Sequence, residues 1–131
     1  MRALLDTNAW LWVTAASERL GPRTRALLAE ARTTLFLSVV SAWEIAIKTR
    51  LGKLELGGDP EDFVRTRLRL QSIAPLPVTL DHVLAVAHLE EHHRDPFDRL
   101  IVAQARSEGL VLISGDQQLR KYVIDFHDAR E

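Results

Sequence analysis

Arg2-Ala3-Leu4-Leu5-Asp6-Thr7-Asn8 reads as a short strand, Arg2 to Leu5, stopped by three polar residues, after which Ala9 to Val13 starts an apolar helix carrying Trp10 and Trp12. The same order recurs. Leu35 to Ser38 is a second strand, and Ser41-Ala42-Trp43-Glu44 opens a helix that runs through apolar Ile45, Ala46 and Ile47 before Lys48, Arg50 and Gly52 end it. Leu110 to Ile113 is a strongly apolar strand, and Ser114-Gly115-Asp116 turns from it into a short helix through Tyr122. Short strands alternating with longer helical periods predict a three-layer α/β/α sandwich around a mostly parallel sheet.

The remaining punctuation fits that frame. Gly21-Pro22 opens a helix expected to reach about Arg32, since Pro suits the first helical position. Gly57-Gly58-Asp59-Pro60 is a turn leading into a helix from Pro60 to Leu70, and Ile73 to Val78, with two prolines, suits only an edge strand or a linker. Thr79 caps a helix with Leu80, Val83, Leu84 and Ala87 at helical spacing, which His92-His93-Arg94-Asp95-Pro96 breaks and restarts. Phe97, Leu100, Ile101 and Ala105 form the core face of the new helix, Gly109 stops it, and a last strand is expected over Val123 to Phe126.

With 131 residues the chain is expected to be a single domain spanning residues 1–131. Seventeen Lys plus Arg against 18 Asp plus Glu leave a net charge of −1, so no global positive field draws it to nucleic acid or membrane. The absence of cysteine removes disulfides, thiolate zinc sites, iron-sulfur clusters and Cys nucleophiles together. Uncharged runs reach only 11 residues, as from Thr33 to Trp43, too short for a membrane helix. Asp6 interrupts the apolar opening that a secretory signal needs, so a cytoplasmic protein is expected.

In open parallel sheets, ligands bind beyond the carboxyl ends of the strands, near helix N-termini. Asp6, Glu44, Asp98 and Asp116 all fall at such positions and could share one pocket. Each also has a structural alternative: Ser41-x-x-Glu44 is a capping box, Asp98 suits a first helical turn, and Asp6 and Asp116 suit N-caps. Crowded carboxylates repel, so such a pocket calls for protons, basic partners or cations, and oxygen ligands select Mg²⁺ or Mn²⁺ over zinc. His88 and His92, four apart, offer a rival transition-metal pair, but His-Leu-Glu-Glu-His lacks the metalloprotease order, and helix-end histidines are expected instead.

Four stretches carry a family resemblance across essentially the whole chain: Leu4-Leu5-Asp6-Thr7-Asn8, Ser41 to Lys48, Arg94-Asp95-Pro96-Phe97-Asp98 through Ala105, and Ile113-Ser114-Gly115-Asp116. The sequence resembles the PIN-domain ribonucleases of the VapC type, toxins of toxin-antitoxin pairs. The resemblance implies a PIN-like fold in which Asp6, Glu44 and Asp98 stand for the family's first three acids and Asp116 for its more variable fourth. It implies a Mg²⁺-dependent endoribonuclease, with Mn²⁺ able to substitute, that leaves a 5′-phosphate and a 3′-hydroxyl. It further implies an RNA substrate, a cognate antitoxin and a homodimer. Lys48, Arg50, Lys53, Arg65, Arg67, Arg69, Arg94 and Arg99 are candidate phosphate contacts, with pairing to a carboxylate as the alternative for Arg99. Asp95, just before Pro96, is expected to cap its helix, with a contact to metal-bound water as the alternative. The rival readings are an RNA-processing nuclease without an antitoxin and an inactive binding module. A phosphatase of the haloacid dehalogenase type wants a second acid where Asn8 stands.

Overall fold

Ala3, Leu4 and Leu5 are completely buried, yet Leu4 packs into one apolar cluster while Ala3 and Leu5 pack into another. Successive strand side chains point to opposite faces, so a strand with no polar face must lie in the middle of a sheet covered on both sides. A computed structural model describes residues 1–131 and places that strand, β1 (Arg2–Leu5), at the centre of five. In chain order the other elements are α1 (Thr7–Ala15), α2 (Pro22–Ala29), β2 (Thr34–Ser38), α3 (Val39–Arg50), α4 (Pro60–Gln71), β3 (Ala74–Leu76), α5 (Leu80–Ala85), α6 (Pro96–Glu108), β4 (Val111–Ser114) and β5 (Phe126–Asp128).

The sheet runs β3-β2-β1-β4-β5 and every pairing is parallel, with Leu4 opposite Phe36 on one side and Leu112 on the other. The expected three-layer sandwich is therefore observed. One face carries α6 through Ile101, Val102 and Ala105, and the other carries α1, α3 and α4 through Trp10, Ile45 and Phe63. The chain winds outward from β1 to β3 and returns to β4 on the far side of β1. The winding direction thus reverses between β1 and β4, where a crevice opens at the carboxyl ends of the strands.

Four local expectations change. Helix α3 begins at Val39, because the Ser38 hydroxyl accepts from Val40 N at 3.1 Å, so Ser41 lies inside the helix and forms no capping box with Glu44. Helix α2 stops at Ala29 rather than near Arg32. The last strand is Phe126–Asp128 rather than Val123 to Phe126, since Phe126 pairs with Leu112 while Val123 is left 76% exposed. Finally, α5 ends at Ala85 and passes through a single 3₁₀ turn, Val86–His88, so His88 and His92 share no helix face.

Asp95 caps α6 as expected, its Oδ1 accepting from Phe97 N at 2.8 Å and Asp98 N at 3.3 Å ahead of Pro96 at the first helical position. Gly109, at φ +65°, closes the helix in the left-handed conformation that glycine adopts without strain. Helix α6 is thereby aimed with its N-terminus at the β1/β4 crevice.

Candidate active site

The backbone delivers Asp6 to the crevice directly: its N–H donates to Ile113 O at 3.0 Å, continuing the β1–β4 ladder by one residue. One carboxylate oxygen, Oδ1, caps α1 by accepting from Ala9 N at 2.8 Å, and the other accepts from the Ser114 hydroxyl. Ser114 Oγ in turn accepts from Asp116 N at 3.0 Å. A single hydroxyl at the end of β4 thus links the acid after β1 to the acid after β4. On the β2 side, Thr7 Oγ1 donates to Glu44 Oε1 at 2.6 Å and lies 2.8 Å from Ser41 Oγ, fixing the α3 carboxylate against the start of α1. Lys48, one turn further along α3, donates to Glu44 Oε2 at 2.5 Å.

The third side of the crevice is the first turn of α6 and the loop before it. His93 Nε2 lies 3.0 Å from Asp116 Oδ2 and 3.5 Å from Asp98 Oδ2, while its Nδ1 accepts from Asp95 N at 3.0 Å. Asp116 Oδ1 is also taken up, accepting from Gln118 N at 2.9 Å. Asp98 is different. No protein donor forms a hydrogen bond to its carboxylate within standard geometry, although its side chain is only 20% exposed.

That arrangement perturbs acidity in a definite way. Burial pushes the Asp6 carboxyl up from 3.8 to about 6, against the lowering effect of the Ser114 and Ala9 hydrogen bonds and with the help of the Asp116 and Glu44 charges. Asp98 rises from 3.8 to about 7, first through burial, then through repulsion by Asp95, Asp6 and Glu44, with His93 opposing. Lys48 is raised as well, chiefly by its hydrogen bond to Glu44, and it feels the charges of Asp95 and Asp98 too. Asp6, Glu44, Asp98 and Asp116 therefore act on one another electrostatically. Two of them are left short of positive charge, and Asp98 is also short of donors. Oxygen donors with such a deficit fit a hard divalent cation.

All four sequence-predicted acids are thus brought together. Asp6 and Asp116 cap helical turns with one oxygen each and face the crevice with the other, so capping and site roles coexist. The basic residues are less uniform. Lys48 contacts an acid of the site, Arg65 pairs with Glu61 at 2.9 Å, and Arg67 lies over the Phe63 ring. Arg50, Lys53, Arg69 and Arg94 are exposed. Arg99 neither faces solvent nor pairs with a carboxylate. Its guanidinium donates to the carbonyls of Val86, Glu90 and His93 and to the Tyr122 hydroxyl, and so anchors the loop that carries His93.

Thr7, Ser114 and His93 hold the acids and Ser41 holds Thr7; the sequence offered Ser41 as a capping-box partner of Glu44 and gave none of the four this supporting role. The three hydroxyl residues sit within three residues of a strand's carboxyl end, a signal that was available; His93 was hidden in the segment that breaks the helical pattern. Gly115 is a further hidden requirement, because a Cβ there would run into the Trp12 ring packed beneath the turn. Trp43, next to Glu44, stands 60% exposed at the rim with its ring edge-to-face on Phe97 at 5.2 Å. A groove of about 350 Å³ between α3 and α4 is lined by Leu37, Val64 and Leu68 and contains none of the four acids.

Comparison with known proteins identifies the family and the fold. A family model described as the PIN domain matches residues 3–124. Ribonuclease VapC16 of Mycobacterium tuberculosis is 42% identical over 59 residues, a stretch that spans 45% of this chain and 42% of that protein. Among solved structures, VapBC2 from Rickettsia felis bound to a DNA fragment from their promoter aligns with a TM-score of 0.72 and 13% identity, covering 97% of this chain and 98% of that one. VapBC-1 from nontypeable Haemophilus influenzae aligns with a TM-score of 0.67 and 19% identity over 100% of both chains. At those identities what is shared is the fold.

Proposed function

The chain belongs to the PIN domain family, and from that premise we propose that it is a metal-dependent endoribonuclease, the toxin of a type II toxin-antitoxin pair, with Asp6, Glu44, Asp98 and Asp116 as its catalytic, metal-holding acids. The observation that carries this reading is the Asp98 carboxylate: three-quarters or more buried, without a hydrogen-bond donor, and raised to about 7 among other acids. A carboxylate in that state is poorly stabilised by the protein alone and is suited to a cation. The ribonuclease name of the Mycobacterium tuberculosis relative supports the activity, and the VapBC complexes support an antitoxin partner.

Mg²⁺, or Mn²⁺ in its place, would be held by those four acids, and the chemistry it supplies when bound is a more acidic water and neutralisation of charge at a phosphodiester. The reaction is hydrolysis: water oxygen bonds to phosphorus, the bond to the 3′-oxygen breaks, and a proton passes to that oxygen, leaving a 5′-phosphate and a 3′-hydroxyl. The chain's own residues supply positioning. Ser114 and Ala9 N hold Asp6, Thr7 and Lys48 hold Glu44, and Gln118 N and His93 hold Asp116. Lys48 keeps part of its side chain in solvent and offers a donor to a phosphate oxygen, and the exposed Trp43 offers a ring for base stacking.

The unit proposed is the single domain of residues 1–131 working in the cytoplasm as a homodimer, for which Leu80, Val83 and Leu84, an exposed apolar stripe on α5, provide a seam. No helix is long and apolar enough to cross a membrane. Incubation with labelled RNA tests the activity: cleavage stops with chelator, returns with Mg²⁺ or Mn²⁺, and is lost in Asp98→Asn with an unchanged circular dichroism spectrum. Parent-rate cleavage by Asp98→Asn, or by parent protein in chelator, overturns the assignment. Co-expression with the product of the adjacent small reading frame, followed by pull-down and light scattering, tests the antitoxin and the dimer. No capture and a monomeric mass count against both.

A further inference from the structure

His93, Asp98 and Asp116 place one nitrogen and two carboxylate oxygens within 4.8 Å of one another, an arrangement that on distance alone makes the imidazole a third metal ligand. The hydrogen bonds around the ring contradict that. Nδ1 accepts from Asp95 N at 3.0 Å, so Nδ1 carries no proton and its lone pair is already in use. A neutral imidazole has one N–H and one acceptor nitrogen, which leaves the proton on Nε2. Nε2 is the atom 3.0 Å from Asp116 Oδ2, with Asp98 Oδ2 at 3.5 Å beside it. A nitrogen that donates its N–H to a carboxylate has no lone pair for a cation.

We infer that His93 is a positioning residue that donates its Nε2–H to Asp116, beside Asp98, and thereby orients the carboxylates for the cation without ligating it. The surroundings hold the ring in that role. Arg99 clamps its main chain through the carbonyls of Glu90 and His93, and the neighbouring His92 ring packs edge-to-face on Tyr122 at 5.0 Å, whose hydroxyl is bound by the same arginine. With Gln118 N on its other oxygen, Asp116 is pinned by two donors. Asp98, three residues into α6, has only the His93 edge to orient it. The inference rests on the metal-binding reading of the preceding subsection.

Long-range ¹H–¹⁵N correlation spectra of the full chain read the tautomer directly, with chelator and then with saturating Mg²⁺. The Nε2–H pattern is expected in both, with Nε2 not displaced to the position of a metal-ligating nitrogen. Melting temperature against Mg²⁺ concentration gives the affinity of three variants. His93→Gln places an amide donor where Nε2 stands and should bind Mg²⁺ within about threefold of the parent, whereas His93→Asn, which replaces only the Nδ1 acceptor, and His93→Ala should lose about tenfold or more, as partners of metal ligands typically do. An Nδ1–H or doubly protonated ring, or a metal-shifted Nε2, with a normal Mg²⁺ response overturns this inference alone. The reverse order, His93→Asn like the parent and His93→Gln impaired, also overturns it, because the ring would then serve only the loop. A parent that shows no Mg²⁺ response overturns the metal reading and this inference together.

Discussion

Helices α4 and α6 begin with the same local chemistry and end in opposite circumstances. Asp59-Pro60-Glu61-Asp62 and Asp95-Pro96-Phe97-Asp98 each put an aspartate at the N-cap, a proline at the first position and a second aspartate at the third. Asp59 accepts from Asp62 N at 3.1 Å, and Asp95 accepts from Phe97 N and Asp98 N. Yet Asp62 is exposed, with water to solvate its charge, whereas Asp98 is turned into the β1/β4 crevice and raised to about 7. The helix-start motif sets where a carboxylate sits on its own helix. What that carboxylate can do depends on the residues facing it, here Asp6 just after β1 and Glu44 from α3.

The largest expected difference between the two positions is catalytic. Asp98→Asn should lower RNA cleavage by more than about a hundredfold, since even residues that only support metal ligands cost up to that much, while Asp62→Asn should cleave at the parent rate. Single-turnover assays of both variants in Mg²⁺ check it, and equal losses would erase the contrast.

Next comes stability without metal. A carboxyl moved from 3.8 to about 7 costs the ionised native state roughly 4 kcal/mol at most, at about 1.4 kcal/mol per tenfold in acidity. Asp98→Asn should therefore melt several degrees above the parent in chelator at pH 8 and gain less from Mg²⁺. Asp62→Asn should instead melt slightly lower, by the ~0.3 to 1 kcal/mol that a carboxylate contributes to a helix's first turn. Thermal melts of the three proteins with and without chelator decide it, and a lower melt for Asp98→Asn would make Asp98 an ordinary helix-start residue.

The same displacement fixes a pH dependence. Asp6 at about 6 and Asp98 at about 7 both lie above the value of 3.8 they start from, so between those limits the native state holds more protons than the unfolded chain. Stability of the metal-free protein, as far as these groups set it, is then greatest near pH 4 and falls as pH rises to about 7. The fall should shrink in Asp98→Asn and persist in Asp62→Asn. Urea titrations at several pH values measure the slope, and identical slopes would show that Asp98 is not the group responsible.

The smallest effect concerns the caps. Asn caps a helix about as well as Asp, so Asp59→Asn and Asp95→Asn should each change the melting temperature little. Only Asp95→Asn removes a charge that raises Asp98, and carboxyl ¹³C titration should find Asp98 more acidic there. An unmoved Asp98 would mean that the Asp95 charge adds nothing to the effect of burial and of Asp6 and Glu44.

Much of the scaffold was legible beforehand because it depends on short-range chemistry. The strand at Arg2 to Leu5, the N-caps at Asp95 and Thr79, the stop at Gly109 and the edge placement of the Pro-containing strand all follow from propensity and local hydrogen bonding. Two boundaries were misplaced. Ser38 rather than Ser41 starts α3, through a local bond from Val40 N that competed with the Ser41 signal, and β5 lies two to three residues later than apolar character suggests, because pairing with distant Leu112 selects Phe126. The four acids were legible as a set by their positions after strands and at helix starts. Their support was not: Thr7 lies 37 residues from Glu44 and 34 from Ser41, Ser114 lies 108 from Asp6, and His93 lies 23 from Asp116. Arg99 looked like a phosphate contact and proved to be a clamp on carbonyls.

By itself, then, the order of residues determined the alternation of strands and helices, the parallel sandwich, and the presence of Asp6, Glu44, Asp98 and Asp116 at strand ends and helix starts, because turns, caps and apolar periodicity act over a few residues. Tertiary structure alone decided that these acids share one crevice, that Asp98 lacks a donor while Asp62 meets water, and that His93 presents its Nε2 edge to Asp116. Burial of Asp98 and its repulsion by Asp6 and Glu44 are set by atoms brought together through the sheet's reversal between β1 and β4, and no local stretch of sequence contains those partners; the proton position on His93 takes both a local donor, Asp95 N, and a distant acceptor, Asp116.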